Sequence, residues 1–269
     1  MSRLLKPLLD QTQAELPGDQ TGRRSLVVAP IDVFLLRQFE KEIITQLHAK
    51  AGPGRTLLDI GCGDGSKTAV LHSLGFTASG IDVHQPTIAK ARAQNPDVMF
   101  EVGDAEALPF PSCSFDAVFS CSALQYTDPT RTIAEALRVL KPGGRGVFVE
   151  NLAGNPLANI YRLIKRRSGY PSHLTPRRHL DIRSLNDLFP RSSKASYRAY
   201  NLTTTFLHSC CMAHEVLFRL DRVELKPTRT YDALAWLDSL ALRAFPLLER
   251  YCWSIVMVLE KSETNDAQR

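Results

Sequence analysis

The chain is short of the features that would place it in several large classes. Six cysteines in 269 residues (62, 113, 121, 210, 211 and 252) follow no disulfide-framework spacing and form no CxxC pair, which points to a reducing cytoplasm. The first thirty residues lack the uninterrupted apolar run of a signal peptide. The longest strongly apolar stretch, Ala233 to Leu259, is broken by Asp238, Arg243, Pro246, Glu249 and Arg250, too often for a membrane span; peripheral membrane contact stays open. There is no internal repeat and no low-complexity segment. A large charge excess is also missing. The formal net charge is +5, and the basic groups Arg23-Arg24, Lys165-Arg166-Arg167 and Arg177-Arg178 come without a recognised RNA or DNA module, so a nucleic-acid partner is not expected.

What is present is an ordinary globular composition, 44% apolar and 23% charged, enough to bury a full core in one large domain. The richest segment is Leu57 to Lys67, LLDIGCGDGSK. Leu57, Leu58 and Ile60 read as a buried strand that stops at Gly61, Gly63 and Gly65. These glycines accept positive φ and carry no Cβ to hold a ligand off the backbone, so the loop is a candidate seat for a nucleotide cofactor.

Strands and helices then alternate: strands at 56–60, 77–82, 98–102, 115–120 and 145–150, with helices at 66–74, 86–94 and 129–140. Alternation of this kind predicts a parallel sheet covered on both faces. An apolar stripe over Ile31 to His48 predicts a helix packed on that core. Beyond Glu150 the pattern changes. A helix with apolar positions 157, 160, 163 and 164 leads into a loop rich in Pro, His and Arg over 168–183. A short helix at 184–189, a strand at 196–204, helices at 206–220 and 231–248 and a last strand, Cys252 to Leu259, follow. The expected division is an N-terminal helical extension (1–50), a core domain (51–261) with an insertion at about 151–195, and a disordered tail (262–269).

Three further segments fix what the glycine loop serves. Asp82 ends the second strand, 21 residues after Gly61, where a carboxylate can accept from two ribose hydroxyls. Gly103-Asp104-Ala105-Glu106-Ala107-Leu108-Pro109-Phe110 follows the third strand, and Ser114-Phe115-Asp116-Ala117-Val118 opens the fourth. With these in order, residues 31 to 150 resemble the class I S-adenosylmethionine-dependent methyltransferases, in the subgroup with D-x-G-C-G-x-G, G-D-A-x-x-L-P-F and S-F-D-x-V motifs. The resemblance implies a Rossmann-like, doubly wound α/β fold: a seven-stranded sheet, mostly parallel, with an antiparallel last strand. It implies S-adenosylmethionine as cofactor and S-adenosylhomocysteine as product.

By the same resemblance, Asp59 and the loop Gly61, Cys62, Gly63 and Gly65 would hold the methionine moiety, and Asp82 the ribose. Val83, Asp104 and Ala105 would meet the adenine, while Cys121 and Gln125, after the fourth strand, would lie along the cofactor. Tyr126, Glu150 and Asn151 are the expected acceptor-side residues, with simple strand-end capping the alternative for the last two. Many relatives carry histidine near the position of Tyr126, and its absence here leaves the base unassigned. His173 and His179, in the loop after residue 168, are the candidate general bases; the alternative is two surface histidines in a basic loop. Asp116 is read as ordering a turn. His208, Cys210, Cys211 and His214 invite a metal reading, but Cys210 belongs to the apolar stripe Phe206, Cys210, Ala213, Leu217 and Leu220, so no metal site is expected.

The functional expectation is direct, in-line methyl transfer to a small acceptor, anionic or amphipathic, from natural-product or lipid-linked biosynthesis, by a monomer or homodimer. O-methylation is favoured over N- or C-methylation. RNA methylation, nicotinamide-dependent redox chemistry and a non-catalytic binding role on the same fold are the alternatives. The short glycine loop and the G-D-A-x-x-L-P-F segment speak against the second.

Overall fold

A computed structural model of the protein describes residues 46–47, 54–167, 179–189, 193–204 and 229–263. The expected helix over 31–48 (bar 46–47), the helix at 206–220 with its His and Cys cluster, His173, and residues 264–269 lie outside the described residues.

The described residues fall into two compact units. The larger comprises 46–47, 54–153, 179–189, 193–199 and 254–263; the smaller comprises 154–167, 200–204 and 229–253. The chain folds as β1 (Thr56–Ile60), α1 (Ser66–Ser73), β2 (Thr77–Asp82), α2 (Gln85–Gln94), β3 (Met99–Val102), β4 (Phe115–Cys121), α3 (Pro129–Val139), β5 (Leu140–Asn151) and α4 (Pro156–Arg167). Then come the short α5 (Leu185–Leu188), β6 (Ser193–Tyr200), α6 (Arg229–Ala244) and β7 (Ser254–Lys261). The strands form one seven-stranded sheet in the order β3-β2-β1-β4-β5-β7-β6. Pairs from β3 through β5 are parallel, and β7 lies antiparallel to β5, with Val147 opposite Val258 and Glu150 opposite Ile255. The Rossmann-like α/β fold and its antiparallel last strand are therefore as the sequence predicts.

Central strands of a parallel sheet are buried on both faces, which is why β1, β4 and β5 read as apolar runs rather than alternations. Leu57, Leu58, Ile60, Val118, Phe119, Val147, Phe148, Ile255 and Met257 are all buried. At the outer strand β3, Met99 and Val102 are exposed, as an edge permits. Helix starts follow local chemistry. Asp128 caps α3, its side chain accepting from the amides of Thr130 (2.9 Å) and Arg131 (3.3 Å), with Pro129 in the first turn. Asp116 orders a turn as expected: its Oδ2 accepts from the amide and hydroxyl of Thr56 and from Lys141 Nζ, which locks the entry to β1 beside β4.

Several boundaries differ from the sequence reading: β5 already begins at Leu140 and β6 at Ser193, and two elements end early for local reasons. The expected helix at 231–248 stops at Ala244, because Pro246 bars helical backbone at Phe245 and the chain continues as a 3-10 turn, Pro246–Tyr251. The strand expected at 196–204 ends at Tyr200, because Asn201 adopts φ 62. Among the described residues no helix is long and apolar enough to cross a membrane.

Candidate active site

The candidate site is assembled at the carboxyl ends of β1, β2, β4 and β5, where an open parallel sheet leaves a crevice. Gly61 sits at φ 72 immediately after β1, and its amide, like that of Cys62, donates to the Ile81 carbonyl on β2 (2.8 and 3.0 Å). A side chain at Gly61 would collide with Ala123 Cβ, so the glycine loop and the segment after β4 are in direct apposition. Gly63, at φ 54, faces open space. The loop then feeds α1, whose first turn contains buried Thr68.

Asp82 has two jobs at this edge. Its Oδ2 accepts from the Gly63 amide (3.0 Å) and its Oδ1 from the His84 amide (2.9 Å), so it fixes the glycine loop while each oxygen keeps further acceptor capacity. Val83 follows, 74% exposed, an apolar side chain at the same edge. Asp104, also exposed, accepts from the Glu106 amide at 2.8 Å and opens the strap to Phe110. That strap is held from α3. Glu135 accepts from the Leu108 amide (2.7 Å), and Arg138 donates to the carbonyls of Leu108 and Phe110 (2.9 and 2.8 Å) while bonded to Glu135. The Arg138 guanidinium holds the Glu135 carboxyl below its ordinary range. No local signal in the sequence marks Glu135 and Arg138; they matter through contacts some thirty residues away.

Other expected site residues lie deeper. Asp59 is 1% exposed, under the glycine loop, accepting from Thr68 Oγ1 at 2.6 Å; burial pushes its carboxyl up to about 7. Cys62 turns its thiol into a cluster with Ile88, Ala91, Val98 and Phe100, so it contributes backbone, not side chain, to the loop, and burial raises its thiol well above the usual range. Glu150 is also 1% exposed and reaches no surface. Its Oε1 accepts from the amides of Ala123 (2.9 Å) and Leu124 (3.0 Å), and burial pushes its carboxyl up to about 8. Gln125 is buried, its amide donating to the Ser122 carbonyl. Cys121 and Asn151 are half-buried, and Tyr126, five residues after Cys121, is 40% exposed.

His179, one of the two candidate bases, is brought to this edge by the backbone. Leu180 forms a parallel bridge with Leu152, directly after β5, and the Ala153 amide donates to the Leu180 carbonyl (2.9 Å). A loop thirty residues distant thus returns next to Asn151.

These residues fit S-adenosylmethionine. A glycine loop open at Gly63, a carboxylate with spare lone pairs at Asp82, an exposed apolar surface at Val83 and an exposed carboxylate at Asp104 match, in chain order, a charged tail, a diol and a flat base with one amino group. Asp82→Ala is expected to weaken cofactor binding by about 1.5 to 3 kcal/mol, the range for a hydrogen bond to a charged group, because it removes the carboxylate available to a diol and frees the Gly63 amide. Isothermal calorimetry checks this, and unchanged affinity would remove Asp82 from the site.

Comparison with known proteins gives the same answer. The family model described as "Methyltransferase domain" matches residues 58–148. The chain is 38% identical over 146 residues to a demethylmenaquinone methyltransferase of Beutenbergia cavernae, covering 53% of this chain and 60% of that one. It is 37% identical over 101 residues to one of Renibacterium salmoninarum, 37% of this chain and 43% of that one. The chain thus spans about half the length of these two relatives. An uncharacterised methyltransferase of Mycobacterium tuberculosis is 30% identical over 200 residues, which cover 70% of this chain and 79% of that one. Among solved structures, that of a putative sarcosine dimethylglycine methyltransferase from Galdieria sulphuraria superposes with a TM-score of 0.60 at 13% identity, over 97% of this chain and 99% of that one, a likeness of fold. With the glycine loop, the carboxylate that ends β2 and the sheet order all in place, the chain belongs to the class I S-adenosylmethionine-dependent methyltransferases.

Proposed function

We propose that this protein transfers the methyl group of S-adenosylmethionine to the oxygen of a small amphipathic acceptor of the phenol or hydroquinone type, within natural-product or lipid-linked biosynthesis. The observation that carries the reading is the convergence at one sheet edge of the cofactor loop, the exposed Tyr126, Asn151 and the returning segment of His179. Relatives named demethylmenaquinone methyltransferase and 2-methyl-6-phytyl-1,4-hydroquinone methyltransferase support a quinone- or hydroquinone-type acceptor here.

The sulfonium supplies an electrophilic methyl when the cofactor is bound. Asp82 binds the ribose diol, Val83, Asp104 and Ala105 receive the adenine, and the Gly61 to Gly65 backbone leaves room for the methionine end. Tyr126 and Asn151 orient the acceptor so that its oxygen approaches the methyl carbon in line, which is where most of the acceleration arises. As the carbon–oxygen bond forms and the carbon–sulfur bond breaks, the acceptor's hydroxyl proton passes to the His179 imidazole. An imidazole nitrogen can accept that proton and later release it.

The test is to incubate the chain with methyl-labelled S-adenosylmethionine and a panel of phenols, hydroquinones and amines, and to identify products by mass spectrometry. The expected product is an O-methyl ether; label on nitrogen or carbon would overturn the oxygen assignment, and no transfer to any ring acceptor would overturn the acceptor class. His179→Ala at saturating cofactor is expected to lower kcat by roughly 100-fold, within the range for general bases. Full activity in that variant returns His179 to the surface.

A further inference from the structure

Glu150 is a buried acid to which the transfer chemistry assigns no step. It stands at the end of β5, 1% exposed, and it spends one oxygen, Oε1, on two consecutive amides, Ala123 and Leu124, at the start of the 3-10 turn Leu124–Tyr126. The turn is under constraint on its other side too. Ser122 sits at φ 60, a region that non-glycine residues avoid, while its amide donates to the Val149 carbonyl at 2.7 Å. Ala123, between Ser122 and the turn, is the residue whose Cβ occupies the space that the missing side chain of Gly61 leaves. A continuous set of contacts therefore runs from the Glu150 carboxyl, through the Ala123 and Leu124 amides, to the first glycine of the cofactor loop.

A carboxyl is a costly way to cap a turn in this place. The second oxygen, Oε2, is buried without a hydrogen-bond partner, and so are Gln125 Oε1 and Ser120 Oγ. Ser120 pairs with Phe148 in the sheet, two residues before Glu150, so Ser120 and Glu150 stand on the same side of adjacent strands. Unsatisfied buried polar atoms lower stability. Simple capping would be met more cheaply by a group with no oxygen left over, so what the carboxyl supplies here is position.

We propose that Glu150 is a positioning residue for the cofactor cleft: by holding the Ala123 and Leu124 amides it sets the turn after β4 against Gly61 and so fixes the width of the loop in which S-adenosylmethionine sits. The inference rests on the methyltransferase reading, and it makes Glu150 act through the turn, not by touching the acceptor. Burial favours the protonated carboxyl, so an amide of the same shape can replace it: the amide oxygen takes the two N–H groups as Oε1 does.

The experiment measures S-adenosylmethionine affinity by calorimetry and folding by thermal melting, for wild type, Glu150→Ala, Glu150→Gln and Glu150→Asp. Wild type and Glu150→Gln are expected to bind within about twofold of each other, because two-amide acceptance survives. Glu150→Ala is expected to lose at least tenfold in affinity among its folded molecules. Glu150→Asp keeps the carboxyl but withdraws it by one methylene, and is expected to weaken binding at a melting temperature close to that of wild type; it carries the test should Glu150→Ala fail to fold. Lowered melting with unchanged affinity in Glu150→Ala and Glu150→Asp would reduce Glu150 to a structural cap and overturn the proposal. A Glu150→Gln variant as weak as Glu150→Ala would overturn it as well. Wild type that binds no S-adenosylmethionine overturns the reading beneath it, a result distinguishable from both.

Discussion

Gly61→Val is expected to abolish measurable S-adenosylmethionine binding, a loss of 100-fold or more, and to lower the melting temperature. Two independent penalties add. The residue sits at φ 72, where a β-branched side chain is strained by about 1 to 3 kcal/mol. Its Cβ would also meet Ala123 Cβ inside van der Waals contact, so either the glycine loop or the turn after β4 must move. That turn is pinned by the Ser122 amide on Val149 and by the Glu150 carboxyl, and the loop is pinned by the Ile81 carbonyl and Asp82. Neither side yields without losing hydrogen bonds. Gly61→Ala carries the same clash with less bulk, and adding Ala123→Gly to it is expected to restore part of the affinity by removing the atom it strikes. Calorimetry on the three variants checks the sequence of effects; a Gly61→Val protein that binds cofactor normally would show that the two segments are not in apposition.

Asp238→Ala is expected to be the most destabilising single change in the smaller unit, about 3 kcal/mol or more, a magnitude reserved for broken buried networks. Asp238 projects from α6, is 1% exposed, and accepts five hydrogen bonds from three consecutive residues. Oδ1 takes the amide and hydroxyl of Thr203 at 2.8 and 2.6 Å; Oδ2 takes the amides of Leu202 and Thr204 and the Thr204 hydroxyl at 3.0, 3.3 and 3.1 Å. Alanine removes the acceptor of the three amides and of the Thr203 hydroxyl, while the Thr204 hydroxyl keeps Asn201 Oδ1 at 3.1 Å. Asparagine does little better, because its NH2 group would face the two or three donors now on one oxygen. Thermal melting should place both variants well below wild type, by roughly 6 °C or more for a chain of this size. An Asp238→Asn protein as stable as wild type would mean that the carboxylate is not the organising acceptor.

The parts of this molecule that sequence made legible are those whose signal is short in range. A strand, three spaced glycines and an acidic strand end 21 residues on are a local pattern, and Gly61, Gly63, Asp82 and Val83 stand at the edge it implies. The breaks at Phe245 and Asn201 follow equally local causes, a proline and a left-handed backbone, but a hydrophobic stripe that continues past them hides both. What sequence could not reveal is how far a side chain travels to its partner. Glu150 meets amides 26 and 27 residues away, Arg138 meets carbonyls 28 and 30 away, and Asp238 meets donors up to 36 away. A carboxylate at a strand end looks identical in a string of letters whether it holds the glycine loop at the sheet edge, as Asp82 does, or is buried against the turn after β4, as Glu150 is. Only the register of the neighbouring strand separates them. His179 presents the converse case: nothing local ties it to the site, and one bridge between Leu180 and Leu152 does.

The position of β7 has a consequence for biosynthesis. It is interleaved between β5 and β6, buried over Ser254 to Leu259, and in register with seven consecutive residues of β5 from Arg145 to Asn151. More than a hundred residues are translated between the two partners. During that interval β5 presents an unpaired, apolar edge, and β6 has no strand to join, the condition under which nascent chains pair with the wrong neighbour. The site itself is built from segments that emerge early, but the strand that carries Glu150 gains its second neighbour only when residues 254–261 leave the ribosome, so the β5 edge stays open to mispairing until synthesis is nearly complete.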